Sequence, residues 1–411
     1  MNILIICQWF PPEVAPIGVM LMELAEDLAK NGNSVTVITG FPNHPSGQVF
    51  KGYRKSLSTS EIVNGIRVVR CYLYTSPKKT FFRRVVNYLT FAVSSFGAAM
   101  MLRRQDLLFM VSPPLTNGLM ALFLRHIKGI RYIFNVQDIF PDVAISTGVI
   151  RNGFLIRFLK SLELLIYHGA ERIAVISEGF RGNLLAKGVS DAKIRVIDNW
   201  IDTGEIVPMP RDNEFARAHG LPGKFVVLYS GTIGMISGAK ILIECAEKLK
   251  DRKDILFLFV GEGVVKTEIE EKARATGLDS IRFLPFQPRN ILSQVQSSAD
   301  VSVVTLLHRK GNSSVPSKIL GYMAAARPVI ASVDPDSDTS RLIERAGCGI
   351  CVNAEDAPAL TEAIETLYND REKAALLGRQ GREFLVAQCN RKVITSKYES
   401  LFSECCERRP K

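Results

Sequence analysis

Several features are missing from this sequence of 411 residues, and each absence removes a class of function. The apolar run Ile3-Leu4-Ile5-Ile6-Cys7 and the helix predicted over Val19–Lys30 begin a βαβ pattern, but no Gly-x-Gly-x-x-Gly turn joins them. The connecting loop offers only Gly18, so NAD or a similar dinucleotide cofactor is disfavoured. Eight cysteines are present, but Cys348-Gly349-Ile350-Cys351 is a lone CxxC with no second pair, which argues against zinc. The remaining cysteines read as buried free thiols of a reducing compartment, with Cys7 and Cys71 in predicted strands. There is no zinc-finger spacing, RNP-like aromatic motif or Arg-rich run, so nucleic acid is not an expected partner. No basic n-region precedes the first apolar run, which reads as a strand and not a signal peptide. Asp334-Pro335-Asp336-Ser337-Asp338 resembles a metal-binding DxD run, but the glycine and glutamate of a calcium loop do not follow. It reads instead as the cap of a helix from Ser340, and no metal is expected.

What is present suits a globular chain of two domains of about 200 residues each. Hydrophobic residues make up 47% of it, with 30 Gly and 19 Pro. The net charge of +11 is lopsided: residues 1–200 hold 23 Lys and Arg against 13 Asp and Glu, and the remainder holds 29 against 28. A basic N-terminal half calls for an anionic surface, here anionic lipid.

Alternating βα signals run through both halves. Strands are predicted at Ser34–Thr39, Ile66–Tyr72, Leu107–Val111, Tyr132–Val136, Arg172–Ser177 and Ile194–Ile197. They continue at Phe225–Tyr229, Ile255–Val260 and Val301–Leu307, with a strand and loop over Ile281–Phe286 and a further strand starting at Val329-Ile330-Ala331. Pro208-Met209-Pro210-Arg211-Asp212-Asn213 reads as the linker. Val85 to Leu102 are eighteen uncharged residues between Arg83-Arg84 and Arg103-Arg104, close to the ~20 of a transmembrane helix. Asn87, Thr90, Ser94 and Gly97 form a small polar stripe at helical spacing, and both flanks are basic. A core helix, an interfacial helix and a span are the three readings. Pro77-Lys78-Lys79 and Phe81-Phe82-Arg83-Arg84 mix bases with aromatics as an interfacial segment does.

The stretch that organises the chain is Ser314-Val315-Pro316-Ser317-Lys318, followed by Ile319-Leu320-Gly321-Tyr322-Met323-Ala324-Ala325-Ala326-Arg327-Pro328. It predicts a helix with Pro316, Ser317 and Lys318 in its first turn, running through Ala326 and ending before Pro328. Free N–H groups, a hydroxyl and an ammonium at a helix start suit a phosphate or diphosphate, although a solvated Lys318 beside a capping serine is an equally local reading. Asp138, in Gln137-Asp138-Ile139-Phe140-Pro141, stands at the C-terminal end of a strand, where open α/β sheets bind ligands. Gly231 and Gly234, in Ser230-Gly231-Thr232-Ile233-Gly234, let backbone N–H groups approach a phosphate.

Pro-Ser-Lys followed by Tyr-Met-Ala-x-x-Arg-Pro-Val resembles the donor-site helix of family-4 glycosyltransferases of the GT-B fold. The nearest group is similar to bacterial enzymes that build O-antigen, capsule and colanic-acid repeat units on a lipid carrier. The resemblance implies two Rossmann-like, doubly wound domains facing a cleft: 1–205 for the acceptor, 206–388 for the nucleotide sugar, and 389–411 as a helix crossing back to the first domain. It implies a retaining transfer from a nucleoside-diphosphate sugar to a lipid-linked or growing glycan acceptor, in the cytoplasm and peripheral on the inner leaflet. Lys318 would stabilise the leaving diphosphate and Asp138 would position donor or acceptor. Gly18, Gly231, Thr232, Gly234, Gly261, Glu262, Gly263, Phe286, Pro316 and Ser317 match donor-binding positions, and His44 occupies an aromatic loop slot. The chain also departs from the pattern. The two family glutamates, separated by seven other residues, fall on Ser313 and Gly321; Thr232 and Ser237 replace Arg and Lys; Trp200 replaces a hinge glycine. A nucleotide-sugar epimerase of the same fold and a catalytically silent partner subunit are the alternatives.

Overall fold

The computed structural model describes residues 1–13, 15–78, 80–309 and 315–407. The chain separates into two compact units. One comprises Met1–Asp198 with the C-terminal helix Arg391–Glu407, and the other comprises Asn199–Asn390. The divisions fall at 198/199 and 390/391, where the sequence suggested 205/206 and 388/389.

The N-terminal unit is built on eight strands: β1 (Asn2–Ile6), β2 (Ser34–Gly40), β3 (Ser58–Val63), β4 (Ile66–Cys71), β5 (Leu107–Ser112), β6 (Arg131–Val136), β7 (Arg172–Val175) and β8 (Ile194–Val196). They lie in the order β3-β4-β2-β1-β5-β6-β7-β8, and only the β3–β4 pairing is antiparallel. β1 after the exposed Asn2, and β5 as far as its terminal Ser112, are apolar and buried, as central parallel strands covered on both faces must be. Cys7 falls one residue beyond β1. β3 was not expected, because Ser-Thr-Ser-Glu carries no apolar alternation. It exists through its turn: Asn64 and Gly65 both take positive φ, 48° and 81°, which makes the two-residue hairpin that pairs Val63 with Ile66.

The uncharged stretch forms the helix Phe81–Met101. Among the described residues, no helix is long and apolar enough to cross a membrane. Phe91, Ser95, Ala98 and Ala99 are its buried side. The polar stripe satisfies the extended backbone that leaves β4. Asn87 donates to the Tyr74 carbonyl at 2.6 Å, Thr90 accepts the Tyr74 N–H at 2.9 Å, and Ser94 donates to the Tyr72 carbonyl at 2.5 Å. Phe82, Leu89, Val93 and Met100 are exposed on the helix.

The helix Arg391–Glu407 belongs to this unit. Phe402 packs 5.1 Å from the ring of Phe109 and 6.2 Å from that of Tyr398. The Tyr398 hydroxyl accepts from Asn135 at 2.9 Å, and Arg391 forks onto Asp27 at 2.6 Å and Glu26 at 2.8 Å.

The C-terminal unit has six parallel strands: β9 (Phe225–Ser230), β10 (Ile255–Val260), β11 (Ile281–Leu284), β12 (Val301–Thr305), β13 (Val329–Ser332) and β14 (Gly349–Val352). Their order is β11-β10-β9-β12-β13-β14, so the winding reverses between β9 and β12. The CxxC lies at β14, and all eight cysteines of the chain are free. The proline-rich segment taken as a linker is an ordered strap on this unit. Val207 and Met209 donate their N–H groups to the hydroxyls of Ser293 and Ser297 at 3.1 and 3.0 Å, and Arg211 pairs with Asp300 at 2.8 Å. Prolines leave few N–H groups to satisfy, and serines supply the acceptors. The acidic run is also structural. Ser337 caps the helix Asp338–Ala346, which starts two residues earlier than expected, and Asp334 accepts from His308 at 2.6 Å and from the Arg309 N–H at 2.7 Å.

Phe402→Ala removes a buried ring that two aromatic neighbours enclose. It is expected to destabilise the N-terminal unit by about 3–5 kcal/mol, read as a lower urea midpoint for that unit. An unchanged midpoint would mean that the helix does not pack there in solution.

Candidate active site

The site in the C-terminal unit assembles at the reversal between β9 and β12, on the C-terminal strand ends, where open α/β sheets leave a crevice. β9 ends at Ser230 and turns through Gly231 with φ +131°. A Cβ on Gly231 would meet Lys318 Cε at 3.3 Å. The Gly231 N–H donates to the Val260 carbonyl at 2.8 Å, and that of Ile233 donates to the Glu262 carbonyl at 2.9 Å. The turns after β9 and β10 are thereby laced together. Gly261 (φ +156°) lies so close that a Cβ there would sit 2.0 Å from the Gly231 carbonyl oxygen, and one on Gly263 would sit 2.1 Å from that of Ile233. Only glycine allows this approach.

Lys318 opens the helix Lys318–Ala324. Its ammonium lies 3.5 Å from the centroid of the Tyr229 ring. The residue as a whole keeps some exposed surface, but protein surrounds the ammonium end, and this crowding pushes its pKa from 10.5 down to about 7. Among the described residues, no neighbouring charge opposes the shift. The position of the helix depends on Tyr322, which is fully buried. Its hydroxyl accepts the Ser230 N–H at 2.8 Å and donates to the Ser230 carbonyl at 3.1 Å. One tyrosine thus ties the helix of Lys318 to the strand end that carries Gly231.

The helix is shorter than expected. It begins at Lys318, with Pro316 and Ser317 before it, and ends at Ala324; Ala326 has φ +53°. Ser317 is already in helical conformation and caps no N–H with its side chain, so the site rests on Lys318 and the glycine turns more than on a helix terminus. Lys318, Gly231, Gly261, Glu262 and Gly263 are brought together. Thr232 is exposed, with its carbonyl accepting the Tyr229 hydroxyl at 3.1 Å, and Gly234 closes the same turn. Phe286 is 49% exposed on the segment after β11. Glu262 pairs with Lys266 at 2.7 Å. Of the two positions where the family carries glutamate, Ser313 lies outside the described residues, and Gly321 is buried against Gln296. The sequence alone assigns no role to Tyr229, and Tyr322 stands in the Tyr-Met-Ala motif without a role of its own. The signal for Tyr229 was an aromatic at the end of an apolar strand just before a glycine turn.

In the N-terminal unit, Asp138 follows β6, and Gly18, expected in the loop, lies in the first turn of the helix Pro16–Lys30, which starts three residues earlier than expected. Gly18 packs on the preceding loop: a Cβ there would meet the Trp9 carbonyl oxygen at 3.0 Å. Burial pushes the Asp138 carboxyl up to about 6. It lies near Tyr88, whose phenol is raised by burial, lowered by Arg84 and raised by Asp138. Tyr88 lines a cavity of about 290 Å³ formed by the segments after β1, β2 and β4 and the helix Phe81–Met101. Glu13, 1% exposed, holds two of these segments together by accepting the N–H groups of Phe10 at 3.3 Å and of Asn43 and His44 at 2.8 Å each. Among the described residues no cluster of His, Cys, Asp and Glu is arranged to hold a metal ion.

Comparison with known proteins connects these features. Residues 17–200 match the family described as glycosyl transferase 4-like domain, and residues 211–384 match glycosyl transferases group 1. The chain is 27% identical over 373 residues to the putative colanic acid biosynthesis glycosyl transferase WcaI of Escherichia coli K12, covering 89% of this chain and 91% of that one. It is 28% identical over 271 residues to the probable glycosyltransferase WbjE of Pseudomonas aeruginosa, covering 64% and 66%. In fold it is similar to sucrose-phosphate synthase from Thermosynechococcus elongatus (TM-score 0.79, 20% identity, 99% of both chains) and to Anabaena HepE in complex with UDP and glucose (TM-score 0.74, 16% identity, 98% and 99%).

Two glycines separate a crowded backbone from an open one. Gly261→Ala drives a Cβ into the Gly231 carbonyl and is expected to cost at least about 1–3 kcal/mol. Gly321→Ala meets nothing closer than the Gln296 side chain at 3.6 Å and is expected to leave stability unchanged or raise it by up to about 1 kcal/mol. Thermal unfolding of the two variants checks both signs.

Proposed function

The chain belongs to the GT-B glycosyltransferases that join a glycosyl transferase 4-like domain to a group 1 domain, and from that premise we propose that it moves a sugar from a nucleoside diphosphate to a lipid-linked or growing surface-polysaccharide acceptor, with retention at the anomeric carbon. The observation that carries the donor assignment is the Lys318 ammonium, seated over Tyr229 beside the Gly231 turn with no opposing charge among the described residues. A diphosphate beside it supplies the missing anion, and the Gly231, Gly261 and Gly263 turns let phosphate oxygens approach backbone. The bond from the anomeric carbon to the diphosphate oxygen breaks, and the acceptor hydroxyl forms its bond on the same face. The departing phosphate takes the hydroxyl proton while Lys318 stabilises the charge gathering on it. Asp138 positions donor or acceptor. The name of the WcaI relative, a putative colanic acid biosynthesis glycosyl transferase, supports a place in surface-glycan assembly.

The exposed face of the N-terminal unit supports a reading in which the protein attaches to an anionic bilayer. Phe82, Leu89, Val93 and Met100 on one helix adjoin Phe123 and Ile127 on the packed neighbour Leu115–Lys128, with Phe96 and Phe123 in ring contact at 6.3 Å. Arg83, Arg84, Arg103 and Arg104 flank this apolar face. Apolar side chains between bases suit the interface of an anionic membrane. High salt or alkaline carbonate is expected to release the protein from membranes, because screening weakens the attraction; retention through both washes contradicts it.

Lys318→Ala is expected to weaken nucleotide-sugar binding roughly 10- to 100-fold, for loss of one charge-assisted contact. Transfer is expected to fall further, because the leaving group carries more charge in the transition state. Binding isotherms and single-turnover rates separate the two effects. A silent subunit would bind donor and transfer nothing in the wild type. Transfer is also expected to survive EDTA, since Lys318 supplies the positive charge. Loss with chelator and recovery with magnesium or manganese would overturn that role.

A further inference from the structure

We infer that the cavity of the N-terminal unit binds a sugar through the phosphate or diphosphate attached to it, as the head of the acceptor; this rests on the transferase reading above. The cavity, about 290 Å³, stands at the lower end of the roughly 300–1,000 Å³ typical of small-molecule sites. Lys78, Arg83 and Arg84 line it, and among the described residues no carboxylate does. None of the three forms an ion pair among the described residues, and the single side-chain bond is from Arg83 to the Ser76 hydroxyl at 2.5 Å.

The placement of the two arginines is itself unfavourable without a ligand. Both stand in the first turn of the helix Phe81–Met101, where the helix dipole repels cations, and that turn holds no acidic residue. An anion between the arginines reverses both the mutual repulsion and the dipole term. The other walls suit a sugar. Trp9 and Tyr88 present aromatic surface, and Gln8, 4% exposed, has a carboxamide oxygen with no hydrogen-bond partner among the described residues. Phe81 and Phe82, directly before the arginines, are 49% and 74% exposed. A phosphate carried on a lipid would therefore reach the cavity from the apolar face of the same helix. A soluble sugar phosphate offers the same chemistry without the lipid.

The test uses the full chain and three probes by calorimetry: α-D-glucose 1-phosphate, geranyl diphosphate and UDP. The wild type is expected to bind all three. The double variant Arg83→Glu/Arg84→Glu is expected to lose at least about tenfold in affinity for the first two and to keep UDP, while Lys318→Ala shows the opposite pattern. Arg83→Lys/Arg84→Lys retains the charge and is expected to bind both phosphates, which separates loss of the site from loss of the fold. Tighter binding of geranyl diphosphate than of glucose 1-phosphate identifies a lipid-borne phosphate, and the reverse order a soluble one. The inference is overturned if both phosphates bind the glutamate variant as well as the wild type, or if UDP displaces them competitively. A wild type that binds the phosphates but not UDP would sink the donor assignment and leave this one standing.

Discussion

A lysine ammonium held against an aromatic ring, with no opposing charge among the described residues, is the constraint on which the C-terminal unit depends. Tyr229 supplies the ring, β9 supplies Tyr229, and the Tyr322 hydroxyl ties the helix of Lys318 to the end of β9. Gly231 is glycine because its backbone turns at φ +131° with Lys318 directly above it. Desolvation costs a cation more than one ring contact returns, so the ammonium gives up its proton near neutrality in the free protein. The sign follows. Between pH 7 and 10.5 the unfolded chain holds the Lys318 proton and the folded chain does not, so this residue's contribution to stability rises with pH across that window. A bound diphosphate restores the proton and makes the site strongest on the acid side of it.

The N-terminal unit carries its cations with less burial but in the same unbalanced state. Arg83 and Arg84 crowd a helix start that lacks acids, beside a cavity wall that Glu13 fixes through three backbone N–H groups. The helix Phe81–Met101 has one task on each face. Its polar stripe satisfies the backbone from Tyr72 to Tyr74, its small residues pack on the unit, and its large apolar residues remain exposed. An eighteen-residue uncharged stretch thus serves a surface helix because three polar side chains are needed by a strand exit.

Much of this was legible in the sequence. Long apolar runs such as β1, β5 and β10 announce buried parallel strands, and Pro-Ser-Lys after β12 singled out Lys318. Features that depend on distant partners were not legible. Tyr229 matters because residue 318 lies above it, 89 positions along the chain. The strap at residues 207–213 reads as a linker until Ser293 and Ser297 satisfy it. The edge strand β3 has no apolar pattern of its own, and Asn64-Gly65 alone marks its hairpin. The helix of Lys318 was drawn too long because good helix formers continue to Ala326, while the fold turns the chain there to start β13.

The central claim is that the Lys318 ammonium lacks an anion that the donor supplies. Its most direct test is an NMR titration of lysine side chains, with Lys318 assigned through Lys318→Met, in the free protein and with saturating UDP or GDP. The account predicts a midpoint near 7 in the free protein and a return toward the ordinary lysine value of about 10.4 with nucleotide bound. A free-protein midpoint already at the ordinary value, unmoved by either nucleotide, would contradict it.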